Sequence, residues 1–103
     1  MTAAAWIRRN ARSLSGKTVA VSGATGGIGN ALCRHLAGLG ARLILLDRNT
    51  EKSLSLIAQL QGEYPDLQAE HIHLDLVDMP SVDAAARELE TRAIDVLLLN
   101  AGA

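Results

Sequence analysis

Ser22-Gly23-Ala24-Thr25-Gly26-Gly27-Ile28-Gly29 follows the apolar run Val19-Ala20-Val21 and opens a stretch of helical periodicity. A strand, a glycine-dense turn and a helix N-terminus in that order make a site for an anion. The first turn of a helix leaves backbone N–H groups without intrahelical partners, and the positive end of the helix dipole lies there. A phosphate is therefore drawn in wherever residues without side chains allow close approach.

Working outward from the turn, Thr18-Val19-Ala20-Val21 has the continuous apolar character of a strand buried on both faces of a parallel sheet. Downstream, Ile28, Leu32, Leu36 and Leu39 recur at helical spacing over 27–39, and Gly40 supplies a left-handed stop. Leu43-Ile44-Leu45-Leu46 reads as a second buried strand that ends at Asp47-Arg48-Asn49. Asn49 or Thr50 caps a second helix running to about Gln61, with Leu54, Ile57 and Leu60 inward and Gly62 past its end. The alternation in His71-Ile72-His73-Leu74-Asp75-Leu76 predicts a third strand, polar enough for a sheet edge. Asp78 caps a third helix with Pro80 in its first turn and Val82, Ala86 and Leu89 on one face, and 94–99 is a fourth buried strand. Strand-helix units with short connections predict an α/β fold, a Rossmann-type parallel sheet of order 3-2-1-4 with helices on both faces. The domain is expected over 16–103, preceded by an arm over 1–15 whose Trp6, Ile7, Ala11 and Leu14 turn toward it.

The chain has 103 residues, a net charge of −1 and 49% hydrophobic residues, which suits one modest core. Basic residues precede Asp47 and most acids follow, but the cations are spread over several elements and only Trp6 and Tyr64 are large aromatics. A nucleic-acid surface is therefore not expected. No apolar run approaches the roughly 20 residues of a membrane helix, and no membrane partner is expected. The single Cys33 fits a reducing cytoplasm. The acid-free arm has the charge of a transit peptide without its serine enrichment, so targeting is not expected. The string His71-x-His73-x-Asp75 has ligand types on alternate strand positions, but with no second His or Cys cluster a metal is not expected either. Cys33 and His35 read as packing residues of the first helix.

The strict Gly-x-Gly-x-x-Gly spacing fails, because Leu32 stands where its third glycine would fall. Four separate stretches nevertheless resemble the short-chain dehydrogenase/reductase family over the whole chain beyond the arm. Gly23-x-x-x-Gly27-x-Gly29 is similar to its cofactor turn, Asp47 to the acid ending strand two, Asp75-Leu76 to its Asp before helix three, and Asn100-Ala101-Gly102 to its Asn-Asn-Ala-Gly element. Gly23, Gly26 and Gly29 equally fit the Gly-x-x-Gly-x-x-Gly turn of the extended subgroup. The Asn100 element favours the classical subgroup. Ser22 and Leu99 depart from the commonest pattern, with Ser22 keeping a hydroxyl able to tie the turn to the Asn100 segment.

The resemblance implies a nicotinamide dinucleotide as ligand, NAD before NADP, and an alcohol or ketone as substrate of a longer oxidoreductase. In that reading Gly23 permits the bend, Gly27 and Ile28 present N–H groups to the pyrophosphate with Thr25 adding a hydroxyl, and Gly29 lets helix and strand pack closely. Asp47 accepts from the adenosine ribose and repels a 2′-phosphate, whereas Arg48 would pair with one. Asp75 and the Leu76 N–H meet the adenine, and Asn100 and Ala101 line the adenosine side. The family's Tyr-x-x-x-Lys pair is absent: Tyr64 is followed by Pro65 and has Gln68 in the lysine position. No catalytic residue is expected in this stretch. The catalytic half is expected beyond Ala103, in a protein that forms a homo-oligomer. The alternative is a complete non-catalytic nucleotide-binding or interaction module pairing through its open sheet edge.

Overall fold

Alternate residues of the two central strands are buried on opposite faces, and this period of two organises the molecule. The computed structural model describes Thr2 and residues 14–100. Its elements are β1 (Thr18–Ser22), α1 (Gly27–Gly38), β2 (Arg42–Asp47), α2 (Thr50–Glu63), β3 (Ala69–His73), α3 (Met79–Glu90) and β4 (Val96–Leu98). The strands form one parallel sheet in the order β3-β2-β1-β4, as the sequence predicts.

Val19, Val21, Leu43 and Leu45 face α1 and α2, where Leu32, Cys33, Leu36, Leu56, Ile57 and Leu60 complete the larger core. Ala20, Ile44 and Leu46 face the other way, onto Ile72 of β3 and Ala85 of α3. Burying a leucine or isoleucine contributes about 1.5–3 kcal/mol, so the Leu43–Leu46 run, essentially inaccessible to water, supplies a large share of the driving force. Leu14 joins the larger core and its N–H donates to the Leu39 carbonyl at 2.7 Å. Trp6, Ile7 and Ala11, expected to turn toward the domain with it, lie outside the described residues.

Several expected details differ. In α2 the inward residues are Ser53, Leu56, Ile57 and Leu60, whereas Leu54 is exposed. Positions 54, 57 and 60 step by three in a helix of 3.6 residues per turn, so Leu54 lies about 120° around the axis from Leu60. That helix also continues through Gly62 to Glu63, where the Tyr64 N–H closes it on the Leu60 carbonyl and Arg34 of α1 pairs with Glu63 at 2.6 Å. In α3 Ser81 and Ala85 are buried and Ala86 is exposed. The Ser81 hydroxyl draws this helix inward, accepting from the Asp75 N–H at 2.9 Å and lying within donating distance of the Asp75 and Asp78 carbonyls. Asp78 occupies the N-cap without a side-chain cap bond, because Pro80 lacks an N–H and the Ser81 N–H goes to the Asp78 carbonyl. Asn49 caps α2 as expected, accepting from the Lys52 N–H at 3.0 Å.

Strand β3 sits earlier than the apolar alternation suggests. Its ladder with β2 ends at Asp47↔His73, and past Leu74 the chain turns at Asp75, leaving Leu76 69% exposed. Strand β4 is shorter and less buried than expected: among the described residues it pairs only with β1, over Val96–Leu98, and Leu97 and Leu99 are exposed. No helix among the described residues is long and apolar enough to cross a membrane.

Candidate functional site

The carboxyl ends of β1 and β2 lie side by side through the pairing Ser22↔Leu46, and the glycine turn leaves β1 over that junction. Gly23 takes φ +62°, and its N–H donates to the Leu46 carbonyl at 2.9 Å. A Cβ there would also stand 2.7 Å from the Asn100 carbonyl oxygen. At Gly29 a Cβ would lie 2.2 Å from the Gly23 carbonyl oxygen, so only glycine lets α1 pack against the turn that starts it.

Gly26 is the N-cap of α1 and no side chain caps the helix. The first intrahelical bond runs from the Asn30 N–H to the Gly26 carbonyl at 2.8 Å, so the N–H groups of Gly27, Ile28 and Gly29 precede the ladder. Nothing lies within 4 Å of where a Cβ of Gly27 would stand. Ile28, which belongs to the helical repeat of apolar residues, is 67% exposed in this first turn. The helix start is therefore open to an anion, and the residues present fit a pyrophosphate.

Asp47 closes the second side of the crevice and is only 7% exposed. Its Oδ2 accepts from the Thr25 N–H at 3.0 Å and the Thr25 hydroxyl at 2.8 Å, and its Oδ1 from the Asn49 N–H at 2.8 Å. Burial pushes the carboxyl up, but these three bonds and nearby His71 outweigh it and hold Asp47 below the usual carboxylate range. A carboxylate has about four acceptor sites, and three are filled among the described residues. Sequence reasoning gave the Thr25 hydroxyl to the phosphates and missed this bond across 22 residues. The signal was the strand order itself, since adjacent parallel strands bring their following loops together. Arg48 is exposed beside it, with no hydrogen bond or ion pair among the described residues.

The Asp75 side chain accepts from the Val77 N–H at 3.1 Å in a local turn, and Leu76 is exposed next to it. Asn100 reaches the glycine turn: its N–H donates to the Ser22 hydroxyl at 2.9 Å and its Nδ2 to the Gly23 carbonyl at 3.3 Å. Gly23, Thr25, Gly26, Gly27, Ile28, Gly29, Asp47 and Asn100 thus surround one crevice. Ala101 and Gly102 lie outside the described residues. His71 is held between Ser53 Oγ at 2.7 Å and Thr50 Oγ1 at 3.2 Å. No group of three or more His, Cys, Asp and Glu among the described residues is placed to hold a metal ion. A cavity of about 520 Å³ lined by Gly38, Gly40, Arg42, Tyr64 and Leu67 lies at the amino ends of β1 and β2, away from the crevice.

The family model for short chain dehydrogenase matches residues 17–103. The chain belongs to this family. Short chain dehydrogenase resG of Aspergillus sclerotiorum is 42% identical over 93 residues, covering 87% of this chain and 26% of that relative. Human retinol dehydrogenase 13 is 35% identical over 92 residues, covering 87% and 28%. Among solved structures, L-sorbose reductase from Gluconobacter frateurii, complexed with NADPH and L-sorbose, superposes with a TM-score of 0.77 at 25% identity, covering 88% of this chain and 35% of that one. A 3-oxoacyl-[acyl-carrier protein] reductase from Brucella melitensis with bound NAD gives 0.75 at 25% identity, covering 88% and 34%. The chain spans 25–36% of the length of the first three curated relatives. This short-chain dehydrogenase is thus a Rossmann-like sheet of four parallel strands with a glycine turn leaving β1.

Proposed function

We propose that this chain is the dinucleotide-binding portion of an NAD(P)-dependent oxidoreductase that moves hydride between a nicotinamide cofactor and an alcohol or ketone. One observation carries the reading: an uncapped helix start, open at Gly27, stands beside a carboxylate held by three hydrogen bonds. The open N–H groups would hold the pyrophosphate, with helix dipole and backbone donors acting together. Asp47, ionised, would take a ribose hydroxyl and repel a 2′-phosphate, which favours NAD. Exposed Arg48 is the counterweight toward NADP. Asp75, Leu76 and the 100–102 segment complete the adenosine side in this reading. When bound, the nicotinamide supplies the hydride chemistry. Tyr64 packs against the larger core, and residues 14–100 bring no tyrosine and lysine together at the crevice. In this reading the proton-transfer group belongs to another part of the protein, whose proposed setting is the cytoplasm and whose proposed assembly is a homo-oligomer.

The test is a titration of the full-length protein and its Asp47→Ala variant with NAD and with NADP. The expected result is a loss of NAD affinity of roughly tenfold, the scale of one hydrogen bond to a charged group, with NADP affinity equal or improved. Equal loss for both cofactors removes Asp47 from the ribose.

A further inference from the structure

The Thr25 hydroxyl donates to Asp47 across the junction of the two strand ends. Its Oγ1 lies 2.8 Å from Asp47 Oδ2, and the Thr25 backbone N–H reaches the same oxygen at 3.0 Å. The other oxygen, Oδ1, takes the Asn49 N–H at 2.8 Å, and Asn49 in turn caps α2. One carboxylate therefore joins the glycine turn after β1 to the helix start after β2.

The Asp47 side chain has two rotatable bonds. A backbone N–H holds each oxygen, that of Thr25 at Oδ2 and that of Asn49 at Oδ1, and the Thr25 hydroxyl adds a second donor to Oδ2 that narrows the motion left to the carboxylate. The acceptor site that the proposed ribose hydroxyl takes is then aimed in one direction before any ligand arrives, and an acceptor already in place spares the ligand the cost of ordering it. The same fixation keeps the negative charge where a 2′-phosphate would have to pass.

We propose that Thr25 is a positioning residue for cofactor choice: through its hydroxyl it holds the Asp47 carboxylate in the orientation that accepts a ribose hydroxyl and rejects a 2′-phosphate. This rests on the placement of Asp47 at the ribose. Valine at 25 keeps the β-branched shape and the backbone N–H and removes only the hydroxyl, whereas serine keeps the hydroxyl and removes the methyl. In Thr25→Val the carboxylate gains freedom, NAD loses its preorganised acceptor, and a 2′-phosphate meets a charge able to turn aside. The selectivity ratio for NAD over NADP falls by roughly fivefold, the scale of one preorganised hydrogen bond.

The experiment measures dissociation constants for both cofactors by calorimetry on full-length wild type, Thr25→Val, Thr25→Ser, Asp47→Ala and the Thr25→Val/Asp47→Ala double variant, each first shown to be folded by circular dichroism. The expected pattern is a reduced ratio in Thr25→Val, a ratio near wild type in Thr25→Ser, and a double variant whose ratio equals that of Asp47→Ala alone. A loose turn with no role in selection would weaken both cofactors equally and leave the ratio unchanged. An unchanged or raised ratio in Thr25→Val, with Asp47→Ala still shifting it, overturns the positioning role and leaves Asp47 at the ribose. An unchanged ratio in Asp47→Ala overturns both. If Thr25→Val does not fold, the decision passes to Thr25→Ala: a reduced ratio supports the role, and an unchanged or raised one overturns it.

Discussion

The Asn100 backbone N–H donates to the Ser22 hydroxyl at 2.9 Å, joining residues 78 positions apart at the carboxyl ends of β4 and β1. Ser22 is nearly buried, and its hydroxyl accepts a donor that has no ladder partner beyond Leu98. Ser22→Ala leaves that N–H without a protein partner and is expected to cost about 1 kcal/mol in urea unfolding. Faster hydrogen exchange confined to the Asn100 amide would accompany it. Unaltered exchange there would show that the bond does not hold the segment.

Two glycines of the turn should behave oppositely. In Gly29→Ala the new methyl meets the Gly23 carbonyl oxygen at 2.2 Å, a backbone atom with nowhere to go, and a loss of about 3 kcal/mol or more in stability is expected. Gly27→Ala meets open space inside a helix, so stability should hold or rise by up to about 1 kcal/mol. Its methyl would stand in the mouth of the crevice and weaken dinucleotide binding. Thermal melts with and without cofactor separate the two effects.

Acid should weaken the Asp47 clasp. Its carboxyl is lowered from the ordinary 3.8, so the folded state releases this proton more readily than the unfolded one. The stabilisation is fully present above the unfolded pKa and is lost as pH falls through the lower, folded value. The stability difference between wild type and Asp47→Asn is therefore expected to be constant from pH 7 to about pH 5 and to shrink below pH 4. A difference that stays flat to pH 2 would contradict the lowered pKa.

Cys33 lies in the core with no exposure, and burial pushes its thiol up to about 12. Reaction with a thiol reagent at pH 8 should therefore follow the opening rate of the domain and become fast only in denaturant. Prompt labelling of the folded protein would place the thiol at the surface.

Much of this was legible in the sequence because it depends on local order. Leu43-Ile44-Leu45-Leu46 can only be a strand covered on both faces, and three strand-helix units with short connections leave 3-2-1-4 as the natural order. Gly29 was recognisable because close packing of a helix on its own entry turn admits no other residue. Helix faces were less legible. Leu54 looked inward on a three-residue step, and the real face includes Ser53, whose hydroxyl satisfies His71 on the neighbouring strand. No pattern of apolar residues announces a buried serine whose partner lies 18 positions away.

What the sequence determined by itself was the kind of site: a glycine turn at a helix start, an acid at the end of the next strand, and an asparagine beyond the fourth. Those depend on chain order and, at Gly23 and Gly29, on positions that only glycine fits. The tertiary structure alone decided how they share their hydrogen bonds. The Thr25 hydroxyl faces Asp47 because the parallel register Ser22↔Leu46 brings the two strand ends level. Donor and acceptor find each other there because the Asp47 carboxylate is largely withdrawn from water, and a buried carboxylate must find its donors within the protein.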